Sequence, residues 1–260
     1  MKIVALVKYV PDATGDREFA DDGTVDRDGA DGILSELDEY AIEQALQVAE
    51  NGDDVEVVAL TLGPDDAADA IKKALQMGAD AGVHVSDEQV HGSDALATSE
   101  ILAAAIGKIG PDLVIAGMAS TDGTMGVVPA MLAERLGWPG VTLASELSVD
   151  GDTVKIRRDG DSASQRIEAT LPAVVSVTDQ SGEARYPSMK GIMAAKKKPV
   201  DEWTLEDLGV DAGGVGLAAA RTKVTETAPR PPKEAGKVVT DEDGSGATAL
   251  TEFLVAGKYL

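Results

Sequence analysis

The sequence has no cysteine, two histidines, few aromatic residues and half as many cations as anions. Without cysteine there are no disulfides, no thiolate nucleophile and no cysteine-ligated iron–sulfur cluster. His84 and His91 are too few and too scattered for a zinc site, so no metal site is expected. Aromatics contribute only 3% of residues, which leaves Val, Ile, Leu and Ala to build the core. These aliphatic residues suit a parallel sheet covered by helices. No apolar run is long enough to span a bilayer, so no direct membrane insertion is expected. The opening run, residues 3–7, is strand-like and too short for a secretory core, and the expected location is the cytoplasm.

Lys and Arg number 23 against 46 Asp and Glu, a net charge of −23. Such a surface cannot neutralise phosphates over an extended face, which excludes nucleic acid as a partner. The excess fits a moderately acidic protein or one adapted to concentrated salt. Asp-rich loops such as Asp21-Asp22-Gly23 favour the halophilic reading, because salt screens the self-repulsion.

Short apolar runs alternate with helical periodicity over most of the chain. Residues 3–7 read as a strand buried on both faces. Ser35 reads as the cap of a first helix, with Asp38 three residues on and Ala41, Ile42, Ala45 and Leu46 at helical spacing. Residues 55–62 form a second strand, broken by Gly63-Pro64. A helix over 65–77 follows and ends at Gly78. Residues 81–85 are a third strand, Ser93 caps the next helix, and 113–116 are a fourth strand. A polar turn then leads to a helix over about 126–136, stopped by Gly137 and Pro139. This order predicts an α/β fold, a parallel sheet with right-handed crossovers and helices on both faces. Residues 145–149 and 153–157 flank Asp150-Gly151 as a hairpin, and 173–177 are a further strand. Beyond Lys198 the pattern weakens. A short helix begins at Thr204, Gly-, Ala- and Pro-rich sequence from about 209 to 243 reads as an extended arm, and 247–255 are a last helix. The expected division is a nucleotide-binding α/β domain over 1–198 and a C-terminal arm and helix over 199–260.

In open parallel sheets ligands bind beyond the carboxyl ends of the strands. Three turns qualify: after Val7, after Leu60 and after Ala116. The last, Gly117-Met118-Ala119-Ser120-Thr121-Asp122-Gly123-Thr124-Met125-Gly126, is the richest. Gly123 and Gly126 allow close approach of backbone to a ligand. The N–H groups of Gly126, Val127 and Val128 leave the helix start, where the dipole favours an anion. The same turn also reads as an ordinary strand-to-helix turn capped by Asp122 or Thr124. It is neither a P-loop nor a Gly-x-Gly-x-x-Gly fingerprint. There is no nucleophile elbow and no Ser–His–Asp spacing, so no catalytic residue is nominated. Lys190, Lys196, Lys197 and Lys198 cluster beside Tyr186, Pro187, Met189, Ile192 and Met193. Apolar groups rimmed by charge suggest a protein interface.

The stretches Leu171-Pro172-Ala173-Val174-Val175-Ser176-Val177-Thr178 and Ala184-Arg185-Tyr186-Pro187-Ser188-Met189-Lys190-Gly191-Ile192-Met193-Ala194-Ala195-Lys196-Lys197-Lys198 closely resemble the signature of electron transfer flavoprotein beta subunits. Val7-Lys8-Tyr9-Val10-Pro11-Asp12, the run 38–46, the run 74–80 and Asp122-Gly123-Thr124 agree, so the resemblance covers about 1–208. It implies an adenine-nucleotide-binding, Rossmann-like fold and a heterodimer with an alpha subunit. Such a pair carries electrons from flavin-dependent dehydrogenases, such as acyl-CoA dehydrogenases, towards a membrane quinone oxidoreductase. The redox FAD lies mainly on the alpha subunit, and AMP is structural. By the same resemblance, Leu6, Ser35, Asp38 and Leu62 line the AMP pocket, and Asp122, Gly123, Thr124, Met125, Gly126, Val127 and Val128 hold its phosphate. Arg185, Tyr186, Met189, Ile192, Lys196, Lys197 and Lys198 belong to the loop that dehydrogenases recognise, with Met189 as apolar anchor. Asp159 stands where a Glu commonly contacts the mobile flavin domain, and the arm wraps the partner subunit. The chain departs from the pattern at Ser35-Glu36, where Asn-Pro is usual, and at Gln165, where a Glu is usual. Two alternatives stay open: an electron-bifurcating subunit with a second FAD in the pocket, and a free-standing stress-protein-like nucleotide module.

Overall fold

Lys2–Leu6 form β1, a short strand whose apolar run lies wholly beneath the surface. It pairs in parallel with β4 (Glu56–Leu62) on one side and β6 (Leu113–Gly117) on the other. A strand with neighbours on both edges and helices on both faces has no polar side to show, hence its unbroken hydrophobicity. The computed structural model describes all residues except 16, 17, 28, 229, 230, 233–235, 237 and 242.

The remaining elements of the main sheet are β5 (Ala81–Val85), β7 (Gly140–Asp150), β8 (Thr153–Asp159), β9 (Ser164–Thr170), β10 (Ala173–Val177) and β11 (Val200–Trp203). Their spatial order is β11-β5-β4-β1-β6-β10-β7-β8-β9. The pairings from β11 to β7 are parallel, and β8 and β9 extend the sheet antiparallel. The expected β7–β8 hairpin is present and turns over Gly151-Asp152, one residue beyond Asp150-Gly151, with Gly151 at a φ of 61°. A separate antiparallel ribbon joins β2 (Tyr9–Pro11) and β3 (Gly32–Leu34).

Helices cover the sheet as α1 (Glu36–Asn51), α2 (Ala68–Met77), α3 (Ala95–Ile109), α4 (Val128–Leu136), α5 (Met189–Ala195), α6 (Leu205–Leu208) and α7 (Gly216–Ala219). Alternation along each strand splits the core into two layers. Ile3, Ala5, Val57, Ile115 and Val175 pack with Ile42 of α1 and Ile71 of α2. Val4, Leu6, Val58, Val114 and Val174 pack with Ile101 and Ile106 of α3 and Leu132 of α4. The first two crossovers therefore lie on one face and the next two on the other. The strand order reverses between β1 and β6, and a doubly wound sheet leaves its crevice at that point.

The chain forms two compact units, Met1–Thr225 and Glu226–Leu260. The change of pattern at Lys198 thus precedes a strand of the main sheet. β11 carries Asp201 and Glu202, so it lacks an apolar signature, but such charges suit an edge that must not recruit another strand. Its Trp203 lies under the Lys108 ammonium, 4.2 Å from the ring centroid, and the same ammonium donates to the Asp207 carbonyl. Further on, Gly216 N–H donates to the Ser93 hydroxyl, and the amides of Arg221 and Thr222 donate to Asp94. The second unit contains α8 (Ser245–Ala256), an exposed helix with Leu250, Phe253 and Val255 open to solvent. No helix among the described residues is long and apolar enough to cross a membrane.

Candidate functional site

At the switch point, a cavity of about 280 Å³ opens beyond the carboxyl ends of β1, β4 and β6. Its walls are mainly apolar: Leu6 and Val7, Leu60 and Leu62, Leu102 of α3, and Met125, Val127 and Val128 at the start of α4. Polar groups enter from Lys8, Asp38, Ser93, Asp94, Thr98 and Ser120.

Two helix starts meet here and differ in charge. At α3 the Asp94 carboxylate accepts from the amides of Leu96 and Ala97. This is the cap of α3, and Ser93, expected in that role, instead accepts from Gly216 across the chain. No side chain caps α4, whose N-cap is Val127 and whose first turn contains Pro129. Its start therefore keeps amide donors and the positive end of a helix dipole free for an anion. Gly126 makes the approach possible: its φ is 65°, and an added Cβ would stand 3.0 Å from the Met118 carbonyl oxygen. Thr124 takes the same left-handed region at a φ of 54° and shapes the turn without lining the cavity.

Asp122, weighed in sequence as a cap, is not one. Its side chain is only 3% exposed and accepts from the Lys8 ammonium at 2.8 Å and Arg27 Nη2 at 3.1 Å. Burial acts against its charge, but Lys8, Ser120 and the Gly123 amide hold its carboxyl well below the usual carboxylate range. The ion pair sets the Lys8 ammonium beside the Gly123 turn.

Ser35 is fully buried, and its hydroxyl does not cap α1. It accepts from the Thr121 amide at 3.4 Å, while its own N–H donates to the Lys8 carbonyl. Asp38 lines the cavity and accepts from the Lys8 amide at 2.8 Å. The start of α1 thereby holds the Lys8 backbone from both sides and does not close a capping box. A Cβ on Gly117 would come within 2.5 Å of Asp38 Oδ1, so a glycine is required where β6 passes this carboxylate. Burial pushes Asp38 up to about 7, against the opposing Lys8 and Gly117 amides and the Lys8 charge.

Of the expected pocket residues, Leu6, Asp38, Leu62, Gly123, Met125, Gly126, Val127 and Val128 line one cavity; Ser35, Asp122 and Thr124 do not line it. Sequence reading missed Lys8, Ser120 and Arg27 as parts of the site. Lys8 had one available signal, a cation directly after the first parallel strand. Among the described residues, no group of three or more His, Asp or Glu could hold a metal ion.

The lysine-flanked segment lies elsewhere, over α2. Tyr186 is 92% exposed, Met189 78% and Met193 61%, while Ile192 is half-buried. Lys196 and Lys197 face solvent. Arg185 and Lys198 do not: Arg185 pairs with Glu43 and Glu50 of α1, and the Lys198 ammonium donates to the carbonyls of Leu75, Gly78 and Ala79. Asp159, at the end of β8, accepts from Ser145 Oγ at 2.6 Å, Arg157 Nε at 2.9 Å and the Ser164 hydroxyl.

A doubly wound sheet with an uncapped helix start over a mainly apolar crevice defines an α/β protein with a cavity at its switch point. Residues 22–208 match the family model described as the electron transfer flavoprotein domain, and the chain belongs to that family. It is 48% identical to the electron transfer flavoprotein subunit beta of Mycobacterium leprae over 99% of both chains. Identity to the subunit beta of Clostridium acetobutylicum is 36% over the full length of both. It is also 33% identical, over 92% of both chains, to the caffeyl-CoA reductase-Etf complex subunit CarD of Acetobacterium woodii. Beta subunits of this family are electron carriers and not enzymes, and a beta subunit implies an alpha-subunit partner. The free-standing module reading falls with that assignment.

Proposed function

We propose that this chain holds AMP as a structural ligand in the cavity at the β1–β6 switch point. Joined to an alpha subunit that carries the redox FAD, it passes electrons from flavin-dependent dehydrogenases towards a membrane quinone oxidoreductase, working in the cytoplasm. The observation that carries the nucleotide assignment is the pairing of an uncapped α4 start, cradled at Gly126, with the Lys8 ammonium beside a mainly apolar cavity. The apolar walls suit a base and ribose, and the polar end suits a phosphate. Small-molecule sites span about 300–1,000 Å³. At about 280 Å³ the cavity lies near the lower end of that range, in keeping with a mononucleotide.

The exposed Tyr186, Met189 and Met193, rimmed by Lys190, Lys196 and Lys197, serve as the dehydrogenase-docking surface. Methionine adapts to a partner's pocket, and cations are scarce enough in this chain to make their clustering meaningful. Asp159 meets the mobile flavin domain, and its internal hydrogen bonds fix the carboxylate for that contact. The C-terminal residues, with the apolar side chains of α8, pack on the alpha subunit.

The nucleotides released on denaturing the purified two-subunit complex test the assignment. AMP with one FAD per heterodimer is expected. Two FAD and no AMP would overturn it in favour of electron bifurcation, a reading that the resemblance to a caffeyl-CoA reductase-Etf subunit keeps in view.

A further inference from the structure

Arg185 and Lys198 bracket the exposed segment 186–197, and each is bound to the body of the chain by most of its donors. The Arg185 guanidinium donates from Nε to Glu43 Oε2 at 2.6 Å and from Nη2 to Glu43 Oε1 at 3.0 Å, and its backbone N–H reaches the same carboxylate. Its outer edge engages Glu50, about two turns further along α1. Glu43 is buried and also accepts from Gln47, so its acceptor capacity is fully used. At the other end, the three protons of Lys198 serve the carbonyls of Leu75, Gly78 and Ala79, at 3.1, 3.0 and 2.6 Å. These carbonyls lie where α2 ends, where oxygens lack helical partners and the dipole is negative. Between the clamps, α5 rests on α2 so closely that a Cβ on Gly191 would fall 2.3 Å from the Gln76 carbonyl oxygen.

We propose that Arg185 and Lys198 are positioning residues, which hold the Tyr186–Met189–Met193 surface in its docking shape before a dehydrogenase arrives. This rests on the docking role assigned to that surface above. A segment already fixed at both ends loses little further freedom on binding, so the apolar contacts translate into affinity. The division of labour also explains why adjacent lysines differ: Lys196 and Lys197 face outward and Lys198 turns in. Arg→Lys exchange is not neutral at a bidentate site, and Arg185 makes such a contact with Glu43.

The test uses the complete two-subunit protein with Arg185→Gln, Lys198→Met, Glu50→Gln and Met189→Ala. Hydrogen–deuterium exchange of amides 186–197 is measured beside steady-state kinetics with an acyl-CoA dehydrogenase as donor. Lys198→Met and Arg185→Gln are expected to speed exchange in 186–197 about tenfold or more, leaving α3 and α4 unchanged. They should raise the KM for the flavoprotein about tenfold with kcat within about twofold, a split that a general loss of stability would not give. Glu50→Gln removes only the outer half of one clamp, so it should fold and give a smaller shift of the same kind. Unchanged exchange in a folded Lys198→Met or Glu50→Gln protein overturns the clamp. If Met189→Ala raises KM but the clamp variants do not, the positioning role alone fails. If Met189→Ala leaves KM unchanged, the docking surface itself is wrong and the proposal falls with it.

Discussion

Asp38 and Asp122 both lean on Lys8, yet they titrate in opposite directions. Asp122 is buried, but the Lys8 ammonium and several donors keep it ionised far into acid. Asp38 receives backbone amides and only the more distant field of the same ammonium, and burial wins. Its folded value of about 7 exceeds the ordinary value of 3.8, so folding favours the protonated form. The contribution to stability is thus full below about pH 4 and is lost as pH rises through 7. That window of about three pH units corresponds to about 4 kcal/mol at about 1.4 kcal/mol per unit. Denaturant unfolding of the wild type and of Asp38→Asn from pH 4 to 8 isolates the effect, because the other carboxylates titrate in both proteins. The wild type should lose stability relative to the variant across the window, and parallel curves would refute the assignment. The consequence reaches the site, since Asp38 forms part of the wall and holds the Lys8 backbone.

At the scale of one element, α4 carries the features on which the proposed anion site rests. Its C-terminal Gly137 and its approach residue Gly126 have nearly the same φ, 66° and 65°. A Cβ at Gly137 meets nothing within 4 Å, whereas at Gly126 it meets the Met118 carbonyl oxygen at 3.0 Å. Gly137→Ala should therefore cost about 1–2 kcal/mol from left-handed strain alone and leave the bound nucleotide in place. Gly126→Ala should cost at least as much and also release nucleotide, as nucleotide content after gel filtration would show. Equal retention in both variants would remove the cradle from the account. This turn was legible in sequence because a strand, a Gly-rich polar run and a helix occur consecutively. Lys8 was not, since its bond to Asp122 spans 114 residues and depends on β1 lying next to β6. The boundary of α1 was readable from Ser35, but its hydroxyl serves Thr121 through a tertiary contact that outweighs the local cap. A run of three lysines likewise carries no sign of which one faces inward. β11 escaped notice because an acidic, four-residue edge strand has no periodicity to detect.

At the scale of the whole molecule, the layered core and the surface charge answer to different pressures. The alternation that sends Ile3 and Val4 to opposite layers makes the sheet stable on aliphatic packing, with few aromatics needed. The chain has 46 acidic groups against 23 basic ones, so at least half of the carboxylates can have no cationic partner of their own. Several of the cations are also drawn to internal duties, Lys8 and Arg27 on Asp122, Arg185 on Glu43 and Lys198 on α2. The acidic exterior is left to repel itself across the solvent. Salt shortens the reach of that repulsion from about 10 Å at 0.1 M to about 3 Å at 1 M. The folded state should therefore gain stability as potassium chloride is raised from about 0.05 M to 2 M. A gain of about 3 kcal/mol corresponds to a melting midpoint higher by about 6–12 °C for a chain of this size. Calorimetry across that series checks it, and most of the rise should come below about 0.5 M, where the screening length changes fastest. A midpoint that is flat in salt, or highest at the lowest concentration, would mean that the excess charge is no burden on the fold and that adaptation to a saline interior is the wrong explanation for it.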